Sequence, residues 1–428
     1  MIRKIYPVLI ALLVVTSCST PTKTDPIIDK QLYELLDNKY FFKLRTELER
    51  VKDKLSEDRL LYYQAYCNNV FDKCEESNKN IEALLSKFSN SLSDSIVKDM
   101  LDVKASNSIR LYRYKEAADA YSTALNEYKH VSDSSDLEDY ANMMQLFGTL
   151  AEVKPQLIHK HNDIEIKGYH DDFDLLRIPV QSGGINEDFV FDSGAGLSTI
   201  ALSYAQKMNM KIYESDISVG TVTHAKVQTM LAVADSLYVG DLLFENVVFL
   251  VAPDENLNFP EQNFYVKGII GFPVMHQMEE VHLRRDGSLY VPSNPQSRQF
   301  SNMYLNNLSL VVRMISGADT LTLSFDTGAR TTDLSKRYFD NHKEEVEKNG
   351  TLAKSHRGGA SGVMEVEEYD VENFPFTIGS KSGVLDKASI SIDEFDFMKN
   401  SDGTIGQDII SQFDEMVLNF KYMYIDFS

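Results

Sequence analysis

Two short segments of the sequence place an aspartate in the same setting. Residues 191–195 read Phe-Asp-Ser-Gly-Ala, residues 325–329 read Phe-Asp-Thr-Gly-Ala, and an apolar run precedes each. One Asp-Ser/Thr-Gly alone is a weak signal, because such tripeptides are common in turns. Two carboxyl groups held side by side cannot both ionise, so they share a proton and can act as acid and base in hydrolysis. Asp192 and Asp326 are therefore candidates for a catalytic pair.

The residues that follow each aspartate also repeat at matched distances. An aliphatic residue lies eight positions on and a tyrosine twelve positions on, at Ile200 and Tyr204 and again at Leu334 and Tyr338. Gly-rich segments begin 76 and 77 positions after the aspartates, at residues 268–271 and 403–406, and each copy ends in an apolar strand. These spacings predict a duplicated all-β lobe of about 120–130 residues, the size of a small domain.

The duplicated segments resemble the retropepsin and pepsin-like aspartic proteases. The resemblance rests on Asp-Ser/Thr-Gly-Ala after a hydrophobic strand, followed by Ile-Ile-Gly at 269–271 and Thr-Ile-Gly at 404–406. Residues 404–410, Thr-Ile-Gly-Gln-Asp-Ile-Ile, are particularly retropepsin-like, and the likeness covers residues 172–428. It implies a bilobal β domain that cleaves extended peptide, with apolar residues near the cut. Asp192 and Asp326 would activate a water without a metal or cofactor.

The resemblance also implies roles for the neighbours of the two aspartates. Ser193 and Thr327 would brace the loops through hydroxyl hydrogen bonds, while Gly194 and Gly328 would allow a tight backbone turn. A glycine-bearing hairpin would close over the substrate, and the candidates are Gly358, Gly359 and Gly362 in the second lobe and the weaker Gly220 in the first. The first hairpin has no tyrosine, unlike pepsin, so its chemistry is closer to retropepsin or simply different.

The N-terminal residues have the features of an export signal. Arg3 and Lys4 precede an apolar run over residues 8–15, which is too short to span a bilayer comfortably, and Val-Thr-Ser-Cys ends at Cys18. This pattern resembles the lipobox of bacterial lipoproteins, and the alternative is an ordinary secretory signal with an incidental cysteine. We expect a signal peptide over 1–18, lipid on Cys18 and a tether over 19–29. The protein would then be a membrane-anchored envelope lipoprotein. No acidic cluster follows the cysteine, which favours the periplasmic side.

Residues 30–155 have a helical pattern. There is no Gly or Pro between Lys30 and Phe147, and apolar residues recur at spacings of three and four. Phe71-x-x-Cys74 recurs 43 positions later as Tyr114-x-x-Ala117. Residues 112–125 resemble the second half of a tetratricopeptide repeat, with a generic helical-hairpin array as the equal alternative. Such arrays usually bind a peptide or protein partner.

Two further cysteines fall in the helical region. Cys67 and Cys74 are seven positions apart, about 10 Å along one continuous helix and too far for a disulfide. A turn at residues 68–69 could bring them together, since an exported chain can oxidise such a pair. Two small buried residues at a helix packing face are the other interpretation.

Composition and the remaining motifs exclude several classes of function. The formal net charge of −21 repels nucleic acid, so we expect no such partner. His159-Lys-His161-Asn-Asp163 starts like a metal-binding motif but lacks the next histidine, and a solvated linker is the better interpretation. We find no nucleophile elbow, P-loop or dinucleotide fingerprint.

The predicted organisation is therefore a helical array followed by two β lobes in one chain. The boundary falls near residues 155–172, with lobes over 172–295 and 303–428 that should supply their own core without the array. Only 35 positions separate Val291, the end of lobe one, from Asp326, which favours pairing within a monomer. The favoured function is an aspartic endopeptidase. The alternative is a non-catalytic peptide- or protein-binding lipoprotein on a degenerate protease fold.

Overall fold

The structure is a computed structural model that describes residues 22–220, 226–260, 263–359, 362–395 and 398–428. The predicted signal peptide and Cys18 lie outside these residues. Within them, no helix has both the length and the apolar character needed to cross a membrane.

The N-terminal part of the described chain is helical, as predicted. Its helices are α1 (Pro26–Asp37), α2 (Phe41–Val51), α3 (Glu57–Val70), α4 (Cys74–Phe88), α5 (Asp94–Arg110), α6 (Tyr114–Glu127) and α7 (Ser134–Thr149). Consecutive helices pack on one another. Asp25, Ser93 and Asp133 cap the N-termini of α1, α5 and α7 by accepting backbone N–H groups.

Three of the helix–helix turns have the same backbone conformation. Lys39, Asp72 and Tyr112 each adopt a left-handed φ between 56° and 59° directly after a helix. In each turn the next residue donates its N–H to a carbonyl five positions back. The second and third turns are 40 residues apart, so the 43-residue alignment was wrong by three. It matched two aromatics, but Phe71 precedes its turn whereas Tyr114 begins the helix after its turn.

The two described cysteines are free and buried, and they form no disulfide. Asn68 and Asn69 lie inside α3, so the chain turns after Phe71 instead of at the predicted position. Burial raises the pKa of both the Cys67 and the Cys74 thiols to about 12, so both stay protonated at neutral pH. The packing interpretation of this pair is the one that the structure shows.

The β region begins before residue 172, the predicted start of lobe one. The strands of its first half are β1 (Leu157–His159), β2 (Ile164–Ile166), β3 (Tyr169–His170), β4 (Leu176–Ser182), β5 (Ile185–Phe191), β6 (Ser198–Ala201), β7 (Lys211–Gly220), β8 (Lys226–Val239), β9 (Leu242–Ala252), β10 (Asn258–Phe259), β11 (Phe264–Tyr265), β12 (Gly268–Ile270), β13 (Glu280–Arg284) and β14 (Leu289–Val291). Two short helices interrupt them, α8 (Leu202–Lys207) and α9 (Phe272–Gln277). The residues assigned to the linker therefore pair with this half through β1, β2 and β3.

The second half repeats the succession from β3 to β14, except that none of its described strands corresponds to β10 or β11. Its strands are β15 (Met303–Asn306), β16 (Ser309–Ser316), β17 (Asp319–Phe325), β18 (Asp333–Leu334), β19 (Thr351–Gly359), β20 (Gly362–Ile378), β21 (Lys381–Ser391), β22 (Gly403–Ile405), β23 (Glu415–Asn419) and β24 (Tyr424–Phe427). Its helices are α10 (Lys336–Asn349) and α11 (Gln407–Ile410).

In each half, six strands close into a ring. The first ring runs β9-β6-β12-β5-β4-β8 and closes through β8–β9. The second ring runs β21-β18-β22-β17-β16-β20 and closes through β20–β21. The parallel pairs also correspond, since β12 runs parallel to β5 and β22 parallel to β17. Identical connectivity bears out the predicted duplication.

A third sheet joins the two halves. Its order is β2-β14-β13-β23-β24, with β13 of the first half antiparallel to β23 of the second. The largest apolar core is continuous across both rings and this sheet. Such a junction fixes the halves relative to each other, because separating them would expose buried apolar side chains.

The helical array shares its apolar core with the β region. Tyr304 of β15 is 1% exposed and makes edge contacts with Phe41, Phe42 and Phe71. A second shared cluster joins Phe147 of α7 to buried residues of β8 and β9. The β region therefore has a large core of its own, and the array covers it through two further shared clusters. Apolar periodicity in the sequence shows that a face is buried but not which partner covers it.

Candidate active site

Asp192 and Asp326 occupy equivalent positions at the ends of β5 and β17. Each backbone N–H donates to a carbonyl at the end of the parallel neighbour, Asp192 to Ile270 at 3.0 Å and Asp326 to Ile405 at 3.1 Å. Phe191 and Phe325, one position earlier, are buried in the core. Each aspartate therefore leaves a rigid strand, and neither residue as a whole is fully buried.

Reciprocal hydrogen bonds connect the two aspartate loops. The Ser193 N–H donates to Thr327 Oγ1 at 2.9 Å, and the Thr327 N–H donates to Ser193 Oγ at 3.0 Å. Each hydroxyl then donates to the other half, Ser193 to the Phe325 carbonyl and Thr327 to the Phe191 carbonyl. Both residues are 1% exposed, so these bonds are shielded from water. The bracing function that the family resemblance implied is consistent with this geometry.

The glycine that follows each hydroxyl residue lies against the opposite carboxyl group. A Cβ on Gly194 would come within 2.4 Å of Asp326 Oδ1, and one on Gly328 within 2.8 Å of the Asp192 carboxyl. Each glycine N–H also donates to the carboxylate of its own loop at 2.8 Å. Larger residues at these positions would push the two aspartates apart, which explains why glycine is needed at both.

The carboxyl groups of Asp192 and Asp326 lie close together, since the glycine of each loop is in contact with the carboxyl group of the other. Burial raises the pKa of Asp192 well above its ordinary value, and the neighbouring Asp326 carboxyl group adds to this effect. The N–H groups of Gly194 and Gly328 oppose it by favouring the ionised form. Two carboxyl groups this close do not readily ionise together, so one proton on the pair is the expected state.

Sequence inspection missed one hydroxyl residue in each loop, Ser198 and Thr332. They accept the N–H groups of the closing glycines, Gly271 and Gly406, at 3.1 Å in both halves. These bonds fix each loop to the glycine that follows β12 or β22. Both hydroxyl residues lie six positions after their aspartate, so an offset comparison could have found them.

The flap candidates lie beside two equivalent hairpin turns. Gly220 ends β7 and pairs with Lys226 of β8, while Gly359 of β19 pairs with Gly362 of β20 and Gly358 lies one position earlier. The turns themselves, residues 221–225 and 360–361, lie outside the described residues. The backbone therefore places these glycines at the ends of long hairpins, as the flap assignment requires.

The His159-x-His161-x-Asp163 segment does not converge on one point. His159 Nε2 lies 3.0 Å from Glu245 Oε1, whereas the Asp163 carboxylate accepts hydrogen bonds from Ser293 and Tyr290. Among the described residues no group of three potential ligands could hold a metal ion.

Comparison with known families finds a similarity to aspartyl proteases in the first half. A sequence model of the aspartyl protease family matches residues 178–274, which run from β4 to α9 and include Asp192. The described β region thus contains an aspartic protease-like domain, and the match supports a hydrolase at the family level. No curated protein sequence matches the chain.

The raised pKa of Asp192 predicts a particular dependence of stability on pH. A folded-state pKa above that of an unfolded aspartate means that protonated Asp192 stabilises the fold at low pH. This contribution is lost as the pH rises through the folded-state pKa. We therefore expect wild-type Tm to fall relative to that of Asp192→Asn when both are measured between about pH 4 and pH 8.

The comparison with Asp192→Asn removes the titration of this one carboxyl group. Acidic groups outside the Asp192–Asp326 pair titrate in both proteins, so their contributions cancel in the Tm difference. A difference that stays constant over the whole pH range would show that Asp192 ionises like an ordinary aspartate.

Proposed function

We propose that this protein is a membrane-anchored aspartic endopeptidase with Asp192 and Asp326 as its catalytic dyad. The observation that carries the proposal is the close pairing of the two carboxyl groups, with the loops braced by Ser193 and Thr327. The same family match that covers Asp192 supports protease chemistry. The duplicated topology supports a bilobal, retropepsin- or pepsin-like arrangement.

The pair can supply an acid and a base at the same time. The ionised carboxyl takes a proton from a bound water, and the protonated one donates to the carbonyl oxygen of the scissile peptide bond. The water oxygen attacks the carbonyl carbon, giving a tetrahedral intermediate without a covalent bond to the enzyme. Its collapse breaks the C–N bond as the leaving amine accepts a proton. No metal or cofactor enters this cycle.

Extended peptide is the proposed substrate. The hairpins β7–β8 and β19–β20 offer one candidate flap from each half, carrying Gly220 on one side and Gly358, Gly359 and Gly362 on the other. Both aspartates come from one chain, and eleven residues, 292–302, connect β14 to β15. We propose an active monomer, because this short connection favours pairing of the halves within the chain.

The three equivalent turns of the helical array support a tetratricopeptide-like arrangement. Repeated helical hairpins present a surface that can take a peptide or protein partner, which is the function proposed for this region. The net charge of −21 makes a nucleic acid an unsuitable partner.

The function can be tested with a peptide library and three classes of inhibitor. We expect cleavage of extended peptides, inhibition by statine-type compounds whose hydroxyl binds between two carboxyl groups, and no effect of chelators or of serine- and cysteine-directed reagents. Full inhibition by a chelator would exclude the mechanism. Tight peptide binding without cleavage at any pH would favour the alternative, a non-catalytic binding lipoprotein.

Lipid anchoring at Cys18 is a separate proposal, with the periplasmic side of the envelope favoured. Replacing Cys18 with Ser should abolish fatty-acid labelling and release the protein from membranes, because the attached chains supply the binding energy. The measurement is metabolic labelling followed by membrane fractionation. Ser19→Ala, one position later, is the matched control and should stay labelled. A Cys18→Ser protein that remains labelled would show that the lipobox assignment is wrong.

A further inference from the structure

In the second half, side chains of that half hold the active-site loop in place. Gln407 Nε2 donates to the Thr327 carbonyl at 2.6 Å, and the Asp408 carboxylate accepts the Thr332 N–H and hydroxyl at 2.9 and 2.6 Å. The Asp408 carbonyl accepts the Gln412 side chain at 3.0 Å. All of these donors and acceptors lie between β17 and β23, so this loop needs no support from the helical array.

The first half has Phe272 and Pro273 at the positions of Gln407 and Asp408. Neither side chain can donate or accept the corresponding hydrogen bonds. The Pro273 carbonyl instead accepts Tyr112 Oη at 2.9 Å and Gln156 Nε2 at 3.1 Å. Tyr112 belongs to the turn between α5 and α6. The helical array therefore supplies the donor to the Pro273 carbonyl, whereas Gln412 supplies the donor to the corresponding Asp408 carbonyl in the second half. Burial raises the pKa of Tyr112 well above its usual range, which keeps the hydroxyl protonated.

A second turn of the array contacts the same short helix, α9. Asp72, in the turn between α3 and α4, pairs with His276 Nε2 at 2.6 Å and is itself held by the buried Arg110 at 3.3 Å. The His276 ring stacks on Phe272 with centroids 5.2 Å apart. The Phe272 N–H donates to the Ala195 carbonyl at 2.8 Å, and Ala195 is part of the Asp192 loop.

We infer that the helical array completes the active site by holding the Asp192 loop through α9. Tyr112 and Asp72 act as positioning residues, and the Asp326 loop does not depend on them. The inference rests on the proposed protease function for its effect on turnover, but the coupling itself is a physical property of the folded chain. It assigns the array a part in the catalytic geometry that is separate from partner binding.

The test replaces Tyr112 with Phe in the full chain, which removes the hydroxyl and keeps the ring. Tyr114→Phe is the matched control, because Tyr114 lies two positions away, is buried against Phe147, and its hydroxyl has no hydrogen bond to other described residues. We expect kcat to fall about tenfold for Tyr112→Phe, with KM within about twofold, because one hydrogen bond to the loop support is lost. Tyr114→Phe should keep wild-type kcat.

Hydrogen exchange provides a readout that does not require turnover. In Tyr112→Phe, exchange of amides in residues 188–197 should become faster than in Tyr114→Phe, while residues 323–331 should be unchanged. Equal kcat and equal exchange in the two variants would overturn the inference, as would a loss of kcat without any change at 188–197. If the wild-type chain cleaves no peptide, the proposed function fails, and the exchange result alone decides whether the array holds the loop.

Discussion

Replacing either Asp192 or Asp326 with Asn should lower kcat by at least about a thousandfold. A single remaining carboxyl group cannot be both the base that activates water and the acid that protonates the carbonyl oxygen. The close approach of the two carboxyl groups is the structural reason for treating them as one unit. The measurement is steady-state cleavage of a fluorogenic peptide identified from the library.

Two controls make this result specific. Asp188→Asn, four positions earlier on β5, alters a carboxylate that accepts a hydrogen bond from Tyr169 away from the dyad, and it should retain activity. Mixing Asp192→Asn with Asp326→Asn should restore nothing, because both halves of one site come from one chain. Recovery on mixing would demonstrate exchange of halves between chains and overturn the proposed monomer. Retained activity in either single variant would overturn the dyad.

Removing the Thr327 hydroxyl should lower the stability of the protein strongly. Thr327→Val leaves the Ser193 N–H and the Phe191 carbonyl without a partner in a buried position. Each unsatisfied buried group costs about 1–3 kcal/mol, so we expect a loss of about 2–6 kcal/mol in the free energy of unfolding. The loss is measured by urea unfolding followed through the β-sheet circular dichroism signal.

Thr327→Ser is the matched control because it keeps the hydroxyl and loses only a methyl group. It should cost no more than about 1.5 kcal/mol, the range for removing one buried methyl group. Pairing Thr327→Val with Ser193→Ala in a double-mutant cycle should give a non-additive loss, since the two side chains belong to one hydrogen-bonded unit. Stabilities of Thr327→Val and Thr327→Ser that agree within about 0.5 kcal/mol would show that the reciprocal bonds contribute little.

The duplicated site could be predicted from the sequence because the residues that define each copy lie close together along the chain. Asp192 and Asp326 each stand at the end of an apolar strand with a hydroxyl residue and a glycine next in line, and the closing glycines recur at matched distances. Residue types that lie this close together along the chain determine which chemistry each loop can support. The repeat also predicted that the two loops meet. The reciprocal hydrogen bonds between residues 134 positions apart could be seen only in the structure.

The helical region shows the limit of local patterns. Its helices were predictable from apolar spacing, but the 43-residue alignment was wrong because left-handed turns, and not aromatic residues, are the repeating feature. Lys39, Asp72 and Tyr112 have no side-chain type in common. What they share is a backbone conformation, and the sequence does not display it.

The sequence by itself determined the dyad candidates, the duplication and the helical character of the N-terminal region, because strands, turns and helices depend on neighbours along the chain. Only the tertiary structure decided that Tyr304 is buried under α2 and α3, that Cys67 and Cys74 remain free, and that Tyr112 donates to Pro273. The physical reason is that burial and hydrogen bonding between distant segments depend on which surfaces meet. An amphipathic pattern indicates only that some other element covers the apolar face.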